Sequence, residues 1–494
     1  MCCQEQRNVT VRCGAAEIAQ RSRHGSECSA PRLSTTAYDP VMTSAEQDLD
    51  PVALATRFPK GFAWGLATSA YQIEGAAAED GRGRSIWDTF ARVPGAIADG
   101  QTGDVACDHY HRYGEDVGLM ARIGATAYRF SVSWSRVLPA GVGAVNERGL
   151  DFYDRLVDAL LAAGVKPLIN LFHWDLPQAL QDRGGFANPE VVGWFGSYAE
   201  RVATRLGDRV HDWMTFNEPA VFAFLGHADG IHAPGLRDWP TALRVADHEL
   251  RAHAAASALL RALVRDARIG IAIDVNQVAP ATDSDRDRGA AAAWSSARDA
   301  WFLDPLFGRG YPQLGLEAHR AAGHLEGVEL TDPPAGDIDY LGLNFYRRDS
   351  VRARSAEPFD WEIGARPGTE QTQMDWEVAP DGLRDVLLAL HAEYAPREIV
   401  ITENGAAYPD SVDPDGRIRD EARVSYLARH VAAVGDAIAA GVPVSGYHVW
   451  SILDNYEWSL GYSRRFGLVR VDFATQRRTL KDSGDWYRRL IAAT

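Results

Sequence analysis

Residues 398 to 405 read Glu-Ile-Val-Ile-Thr-Glu-Asn-Gly, and this stretch decides which fold the sequence predicts. Its apolar run, residues 399 to 401, is short and β-branched, which is typical of a strand buried on both faces of a parallel sheet. The run leads into Glu403 and a glycine turn, so a carboxylate stands at the carboxyl end of the strand. Parallel sheets bind their ligands at that end. We therefore expect Glu403 to face a ligand.

A second stretch, residues 213 to 219, is built in the same way and reads Trp-Met-Thr-Phe-Asn-Glu-Pro. It places Glu218 after an apolar run, as Glu403 follows its own run. A single glutamate of this kind is most often a solvated loop residue. Two of them at strand ends suggest a general acid/base paired with a nucleophile. Because the two glutamates lie far apart in the chain, only a closed fold could bring them together.

Eight segments of the chain have the pattern of strands, and helical patterns or loops separate them. The predicted strands cover residues 62–70, 126–134, 165–172, 213–216, 269–275, 338–343, 399–401 and 444–450. Eight strand–helix units with polar residues at the strand ends indicate a parallel barrel. We predict an α/β fold, a single (β/α)8 TIM barrel over residues 56–494 with extended loops at its C-terminal face. Residues 281–337 are expected to be irregular apart from a helical piece at 291–301, and residues 347–380 to form a long loop.

The amino-terminal residues 1 to 55 differ from the rest of the chain in composition. They mix Ser, Thr, Arg and Gln with scattered cysteines and show neither a strand nor a helix period. We expect them to be a disordered extension, with Met42 as a plausible true start. Residues 1 to 14 hold no apolar signal core, which argues against a secretory signal.

Charge and cysteine content disfavour several classes of function. The net charge of −16 argues against binding to nucleic acid or to an anionic membrane, and no apolar run has the length of a membrane span. Four of the five cysteines lie in the first 28 residues, so no disulfide framework is indicated and a cytoplasmic location fits. No cluster of His and Cys has metal-ligand spacing, so we expect neither a metal nor a cofactor. The sequence leaves homo-oligomerisation open.

Seven motifs, in order along the chain, resemble those of one family. They are Phe62-Ala63-Trp64-Gly65 with Gln72-Ile73-Glu74-Gly75, Tyr128-Arg129-Phe130-Ser131, His173-Trp174-Asp175-Leu176-Pro177, Thr215-Phe216-Asn217-Glu218-Pro219, Asn344-Phe345-Tyr346, Ile401-Thr402-Glu403-Asn404-Gly405, and Trp450-Ser451 through Asp454-Asn455-Tyr456-Glu457-Trp458. Together they resemble glycoside hydrolase family 1, the β-glucosidases and their relatives, over roughly residues 57 to 492.

The resemblance implies a retaining β-glycosidase that acts on a small β-glucoside or oligosaccharide. A β-glucosidase, which hydrolyses terminal non-reducing β-D-glucosyl residues, is the leading expectation. Glu403 would be the nucleophile and Glu218 the general acid/base, with carboxyl groups about 5–5.5 Å apart. Arg129 would favour the anionic form of Glu403. We expect a bell-shaped pH profile near about pH 5–7, set by Glu403 below and Glu218 above.

The resemblance also implies a sugar site of hydrogen-bonding side chains and indole faces, which suit hydroxyl groups and C–H faces respectively. Its residues would be Gln72, His173, Trp174, Asn217, Asn344, Tyr346, Trp376, Trp450, Glu457 and Trp458. Tyr346 would donate a hydrogen bond to Glu403, Trp450 would stack on the sugar, and Trp376 would lie on the leaving-group side.

Two positions depart from the family pattern. Asp375 stands where the family usually has glycine, just before Trp376 on the long sixth loop. Phe345 stands where the family often has tyrosine, which is a milder change. The first departure bears on the conformation of the loop and on the preferred leaving group.

Other activities are alternatives on the same barrel. A 6-phospho-β-glucosidase carries a phosphate-binding Ser, Lys and Tyr after the eighth strand, where this chain has Glu457, whose charge would repel a phosphate. β-Galactosidase or β-fucosidase activity stays open, because Gln72 and Glu457 could bind either C4 epimer. A thioglucosidase would have Gln in place of Glu218. From another class, a non-catalytic sugar-binding barrel would have lost one of the two carboxylates, and both are present.

Overall fold

The computed structural model describes residues 50–494, and these residues form thirteen strands. The strands are β1 Ala63–Ala67, β2 Ala127–Ser131, β3 Lys166–Phe172, β4 Asp212–Asn217, β5 Arg268–Asp274, β6 Gln277–Pro280, β7 Tyr340–Asn344, β8 Arg348–Ala353, β9 Trp361–Gly364, β10 Ile399–Asn404, β11 Val444–Trp450, β12 Val469–Asp472 and β13 Arg477–Leu480. Eight of them close into a parallel barrel in the order β1-β11-β10-β7-β5-β4-β3-β2. The predicted (β/α)8 barrel is confirmed.

Helices connect the barrel strands and cover their outer faces. The α-helices are Pro51–Ala55, Ala70–Ile73, Ile86–Phe90, His109–Ile123, Trp134–Val137, Glu147–Ala162, Gln178–Gln181, Val191–Leu206, Trp239–Leu263, Asp285–Ser295, Trp301–Leu306, Gln313–Ala321, Pro380–Tyr394, Glu421–Ala439 and Asp482–Ala493. Short 3₁₀ turns lie at Ala98–Gly100, Gly185–Ala187 and Trp458–Leu460, and π-helical turns at Val221–Leu225 and Ser296–Ala300. None of the described helices has the length and apolar character that crossing a membrane requires.

Two separate groups of apolar side chains hold the barrel. Inside it, Leu168, Met214, Ala272, Tyr340 and Val400 pack together, one from each of five strands. Outside it, a larger cluster joins the opposite strand faces to the apolar stripes of the helices. Because barrel strands are buried on both faces, their sequences read as continuous apolar runs, and β10 is buried along its whole length.

The loops carry more regular structure than the sequence predicts. Residues 281–337, expected to be largely irregular, contain three α-helices and a π-helical turn. Residues 347–380, expected to be a loop, contain β8 and β9, which form a three-stranded sheet with β6. The helix Asp285–Ser295 is Ala-rich and buries only Asp287 and Ala291, so it lacks the apolar period that a sequence reading depends on. Strands β6 and β8 pair across about seventy residues of intervening chain, which no local pattern shows.

The first strand and the amino-terminal boundary also differ from prediction. Strand β1 ends at Ala67, and Gln72 lies on the short helix Ala70–Ile73 rather than on a strand end. A helix begins at Pro51, capped by the Asp50 side chain, which accepts the Ala53 N–H at 3.1 Å. The expectation of disorder is therefore wrong for residues 50 to 55. The rest of that prediction, including Met42, lies outside the described residues.

A buried ionic network supports the loops that follow β10 and β11. Lys481 is 1 % exposed and its ammonium contacts the carboxylates of Asp410 and Asp454, the latter at 2.7 Å. Asp454 also accepts from Arg465 at 2.7 Å and from the Gly467 N–H at 3.0 Å. Each buried charge therefore has a partner of opposite sign, as burial requires.

Replacing Lys481 by methionine is expected to destabilise the fold by about 3–5 kcal/mol, because it leaves carboxylates buried with less positive charge. Lys60 is exposed, so Lys60→Met is the matched control and should change the free energy of unfolding by less than about 0.5 kcal/mol. Urea denaturation of both variants measures the difference. Equal stabilities would show that the network contributes nothing at Lys481.

Candidate active site

A cavity of about 660 Å³ opens at the carboxyl ends of the barrel strands. Nine of the side chains that the sequence predicts for the site line it: His173, Trp174, Glu218, Tyr346, Trp376, Glu403, Trp450, Glu457 and Trp458. Four more, namely Gln72, Arg129, Asn217 and Asn344, are buried and hydrogen-bond to the cavity residues or to the loops that carry them. The fold thus brings every predicted site residue into one region.

Glu403 is the last residue but one of strand β10, and two donors hold its carboxylate. The buried guanidinium of Arg129 contacts one carboxylate oxygen through Nη1. The Tyr346 hydroxyl donates to the other oxygen at 2.6 Å. Burial raises the pKa of Tyr346 well above its ordinary value, so the phenol keeps the proton it donates. Glu403 therefore sits where its anion is stabilised on both oxygens.

The glycine after this strand is required by packing. A β-carbon built on Gly405 would lie 1.8 Å from the carbonyl oxygen of Trp450. No side chain fits there, so only glycine allows the backbone of the turn to lie this close to the end of β11. The Glu-Asn-Gly sequence that suggested a ligand site thus also joins two strand ends that carry site residues.

Glu218 follows β4 with an unusual backbone. Its φ angle is +46°, in the left-handed region that non-glycine residues seldom adopt. Its N–H donates to the carbonyl of Ala272 in β5 at 2.8 Å, which holds the turn in place. Its carboxylate accepts from Asn344 Nδ2 at 2.7 Å. The strained backbone, fixed by these bonds, aims the carboxyl group into the cavity.

The surroundings of the two carboxyl groups are unequal. Burial raises the pKa of Glu218 to about 8, and the neighbouring charge of Glu403 adds to this rise. Burial also raises the pKa of Glu403, but the positive charge of Arg129 and the hydrogen bond from Tyr346 act against it. Glu403 therefore loses its proton before Glu218. The pair can present one anion and one acid at neutral pH, which suits a nucleophile beside a proton donor.

A chain of hydrogen bonds orders the polar side of the cavity. Arg129 Nη2 contacts Asn217 Oδ1, which also accepts from Asn344 Nδ2 at 2.9 Å. Asn217 Nδ2 lies 3.0 Å from His173 Nε2. Burial, together with the Arg129 charge, lowers the pKa of His173 well below its ordinary value, so the imidazole is neutral and its Nε2 accepts.

The opposite side is aromatic and carries a third carboxyl group. The His173 ring stacks near Trp450 and Trp458, with centroids 5.8 Å away in both cases. Burial, and then the charges of Glu403 and Glu218, raise the pKa of Glu457 to about 8. One oxygen of Glu457 is buried without a hydrogen-bond partner in the described part of the chain. Such an oxygen has capacity for a ligand hydroxyl.

Gln72 holds the loop that carries this wall. Its amide donates to Asn455 Oδ1 at 3.1 Å and to the Tyr456 carbonyl at 2.9 Å, immediately before Glu457. The Ser69 hydroxyl donates to its carbonyl oxygen at 2.6 Å. Gln72 thus ties the end of β1 to the loop after β11.

Trp376 stands on the outer wall of the cavity. Its ring lies 5.3 Å from that of Tyr346, and the guanidinium of Arg347 sits 5.0 Å from its centroid. The preceding Asp375, which replaces a glycine of the family pattern, has φ +58°. Aspartate tolerates the left-handed region better than most residues, so the turn keeps a conformation that suits glycine.

Several cavity residues were not predicted from the sequence. They are Asp274, His232, Trp294, Arg298, Phe359, Trp361 and Phe466. The His232 ring lies beside the rings of Trp87 and Trp174. Trp294 and Arg298 lie in the piece predicted to be helical, and Phe359 and Trp361 lie in the segment predicted to be a long loop. Tryptophans within such polar stretches are a weak signal of a binding surface, and they were the only local hint.

Comparison with known proteins agrees with this geometry. The family model described as "Glycosyl hydrolase family 1" matches residues 54–494. "Beta-glucosidase A" of Thermotoga maritima is 45% identical over 436 residues, which are 88% of this chain and 98% of that protein. "Beta-glucosidase A" of Acetivibrio thermocellus is 45% identical over 446 residues, again 88% of this chain and 98% of that protein.

Solved structures give the same result. The family 1 β-glucosidase from Thermotoga maritima superposes with a TM-score of 0.84 at 44% identity, covering 88% of this chain and 98% of that one. The same enzyme in complex with deoxynojirimycin also superposes with a TM-score of 0.84. The match spans the whole barrel and runs at an identity far above what fold similarity alone would need. The chain belongs to glycosyl hydrolase family 1.

Proposed function

We propose that this protein is a retaining β-glucosidase that uses Glu403 as nucleophile and Glu218 as general acid/base. The observation that carries the proposal is the unequal environment of the two buried carboxyl groups. Arg129 and Tyr346 stabilise the Glu403 anion, while burial keeps Glu218 protonated. Two relatives named "Beta-glucosidase A", each 45% identical over 88% of the chain, support the substrate class.

In the first step, Glu403 attacks the anomeric carbon and forms a covalent ester with the sugar. The bond from that carbon to the leaving-group oxygen breaks, and the proton of Glu218 passes to that oxygen. After the first step Glu218 is anionic, and Glu403 no longer carries a negative charge because it has become an ester. The pKa of Glu218 then falls, because a neighbouring negative charge no longer raises it.

In the second step, the now anionic Glu218 takes a proton from water as the water attacks the anomeric carbon. The ester bond breaks, Glu403 leaves as a carboxylate, and β-glucose is released. Arg129 and Tyr346 favour this departure because they stabilise the carboxylate that re-forms. Both carboxyl groups end in their starting protonation states.

The sugar would occupy the side of the cavity between the polar chain and the indoles. His173 and Asn217 offer an imidazole and an amide to hydroxyl groups, and Glu457 offers an acceptor. Trp450 and Trp458 offer indole faces to the C–H face of the ring. Trp174 donates through Nε1 to the Asn217 carbonyl at 2.8 Å and so supports this set. A sugar ring would satisfy both kinds of surface at once.

The 6-phosphate alternative receives little support from this cavity. None of the described residues that line it is a lysine, and Glu457 is a buried carboxyl group with a raised pKa. The ionised form of Glu457 would repel a phosphate dianion, and only its protonated form could donate a hydrogen bond to one. We expect the unphosphorylated glucoside to be the better substrate.

A panel of nitrophenyl β-glycosides tests the proposal. It compares the glucoside with the galactoside, the fucoside and the 6-phosphoglucoside, and it follows the anomeric configuration of the first sugar product by NMR. We expect the highest kcat/KM with the glucoside and initial release of the β-anomer. Initial release of the α-anomer would contradict the retaining mechanism, and turnover of no member would contradict the enzymatic role.

The pH profile of kcat/KM should be a bell whose upper limb lies near pH 8. Activity needs Glu218 protonated, and it is lost as the pH rises through the pKa of that group, about 8. This upper limb is higher than the sequence predicts, because Glu218 is almost fully buried and burial is the largest cause of the rise in its pKa. The acid limb is the loss of activity as Glu403 gains a proton.

Tyr346→Phe should move the acid limb to higher pH and lower kcat by about 10- to 100-fold. The Tyr346 hydroxyl donates to the Glu403 anion at 2.6 Å, and a donor to the charged form lowers the pKa of the carboxyl group. Without it the pKa rises, so protonation begins at a higher pH. Stopped-flow rates across the acid range measure the shift. Tyr340→Phe, which loses only a hydroxyl bond to the Trp213 carbonyl at 2.8 Å, is the control, and an equal shift there would refute the assignment.

We also propose a cytoplasmic location. Cys107 is buried and is a free thiol, and it is the sole cysteine among the described residues. A domain of this size without a disulfide fits a reducing compartment. Fractionation of the native host, with immunoblotting of each fraction, tests this expectation.

A further inference from the structure

The end of strand β5 places a carboxylate beside Glu218. The Ala272 carbonyl accepts the Glu218 N–H at 2.8 Å, and Asp274 follows two residues later. Side chains at alternate strand positions point the same way, and the Ala272 side chain packs inside the barrel. Asp274 therefore leaves the inner face of the barrel at its mouth, next to the general acid, and it lines the cavity.

Arg298 completes an ion pair with Asp274. It comes from the π-helical turn Ser296–Ala300; its Nη2 contacts the Asp274 carboxylate and its Nη1 donates to Asp299 at 2.6 Å. Asp274 is 6 % and Arg298 8 % exposed, yet both line the same cavity as Glu218. Oδ1 of Asp274 is buried and has no hydrogen-bond partner within residues 50–494. A ligand hydroxyl could supply the missing donor.

The charge of this group selects a neutral polar ligand. Two carboxylates surround one guanidinium, so the group as a whole does not attract an anion. Its acceptor and donor atoms lie side by side, which suits a hydroxyl group because a hydroxyl can both donate and accept. Such a group of atoms suits an uncharged ligand that carries hydroxyl groups.

Two indoles extend the same wall. The Trp294 ring lies 5.7 Å from the Arg298 guanidinium carbon and 5.9 Å from the Trp361 ring, and both tryptophans line the cavity. A sugar presents hydroxyls at its edge and C–H groups on its face, so it can use the ion pair and the indoles together. A plain aryl group can use only the indoles. The ion pair thus distinguishes between these two kinds of leaving group.

We propose that Asp274 and Arg298 bind the hydroxyl groups of a sugar leaving group, and that they make β-linked disaccharides and oligosaccharides preferred over aryl glucosides. The inference rests on the proposed function and deepens it, since it names the class of leaving group that the site takes. Both residues are specificity determinants on the leaving-group side, and the charge of Arg298 also acts to lower the pKa of Glu218.

The test compares kcat/KM for cellobiose with kcat/KM for 4-nitrophenyl β-glucoside. In the double variant Asp274→Leu with Arg298→Met, the two charges of the pair leave together, and Asp299, whose pKa burial already raises to about 6, takes up a proton once Arg298 is gone. The cellobiose-to-aryl ratio should fall by about 10- to 100-fold, the change expected when a hydrogen bond to a charged group is lost. Asp274→Asn with Arg298→Gln keeps hydrogen-bonding groups at both positions and should lower the ratio less.

A matched control lies at the other end of the same strand. Arg268 begins β5 and donates to Asp212 at 2.6 Å, away from the cavity. Asp212→Leu with Arg268→Met should leave the ratio unchanged, and thermal unfolding of each variant verifies its folding. Asp274→Asn alone, with the same two substrates, gives a second measurement that does not depend on the double variant being folded.

The outcomes separate this inference from the proposed function. A variant that loses activity equally on both substrates, or keeps the ratio, overturns the inference. A wild-type enzyme that hydrolyses the aryl glucoside but not cellobiose also overturns it, while the proposed function stands. Failure to hydrolyse either substrate overturns both.

Discussion

Glu403→Ala is expected to lower kcat on 4-nitrophenyl β-glucoside by about 10⁴-fold or more, because the covalent intermediate can no longer form. Glu403 provides the atom that attacks, whereas Arg129 and Tyr346 only stabilise its charge. The truncation also leaves a space lined by those two donors, which suits a small anion. Added azide should therefore restore part of the turnover. It would attack from the side of Glu403, so the product should be α-glucosyl azide.

Glu398 gives a matched control for this variant. It lies just before strand β10, at the end opposite Glu403, and accepts from Arg268 at 2.6 Å. Glu398→Gln should keep kcat within about threefold, since it lies far from the chemistry and only loses charge at the barrel floor. Chromogenic assays with and without azide measure the loss of kcat and its partial recovery. NMR of the glucosyl azide gives its anomeric configuration. Retention of activity in Glu403→Ala would remove Glu403 from the mechanism.

Glu218→Ala is expected to lower kcat/KM by about 10²- to 10⁴-fold for substrates with a poor leaving group, because no acid protonates the departing oxygen. A glucoside with a highly acidic leaving group, such as 2,4-dinitrophenol, needs little protonation and should lose much less. Its hydrolysis would then be limited by the second step, which lacks a general base. Azide should speed that step without needing a base, and the product should be β-glucosyl azide. The opposite anomers from the two variants distinguish the two roles.

The same variant should abolish the upper limb of the pH profile, since that limb is the ionisation of Glu218. Glu249 is the control. It is equally buried, on the helix Trp239–Leu263, and burial raises its pKa well above the ordinary value. Glu249→Gln should leave the limb where it is in the wild type. If the limb persists in Glu218→Ala but moves in Glu249→Gln, the pH dependence belongs to Glu249 and its assignment to Glu218 is wrong.

Much of the fold could be predicted because its signals are local. A strand buried on both faces reads as a short β-branched run, and the polar residues that follow it mark the carboxyl end. Both catalytic candidates were found in that way, each from one strand and its turn. The helix His109–Ile123 is another element with local signals, since an apolar stripe and the following Gly124 mark its extent.

The regions that could not be predicted lack such signals. Strands β6, β8 and β9 are short and pair with one another outside the barrel, so their partners, and not their own residues, stabilise them. The helix carrying Trp294 is rich in alanine and shows no clear apolar face, and the predicted helical piece, 291–301, includes only its last residues. The helix Pro51–Ala55 is only five residues long. Its buried Leu54 and Ala55 are stabilised by packing against helices that lie far along the chain, Glu421–Ala439 and Asp482–Ala493.

By itself, the sequence determined that this chain forms a (β/α)8 barrel with two glutamates at strand ends, because each of those features depends on residues that are adjacent in the chain. The different roles of the two glutamates were implied only by the resemblance to a family, and the physical cause of the difference lies in the tertiary structure. Arg129 lies 274 positions from Glu403 in the chain, and their contact exists only in the closed barrel. The same is true of Asp274 and Arg298, which come from a strand and a separate helical turn. Electrostatic interactions depend on distance in space and on burial, and neither can be read from the order of residues.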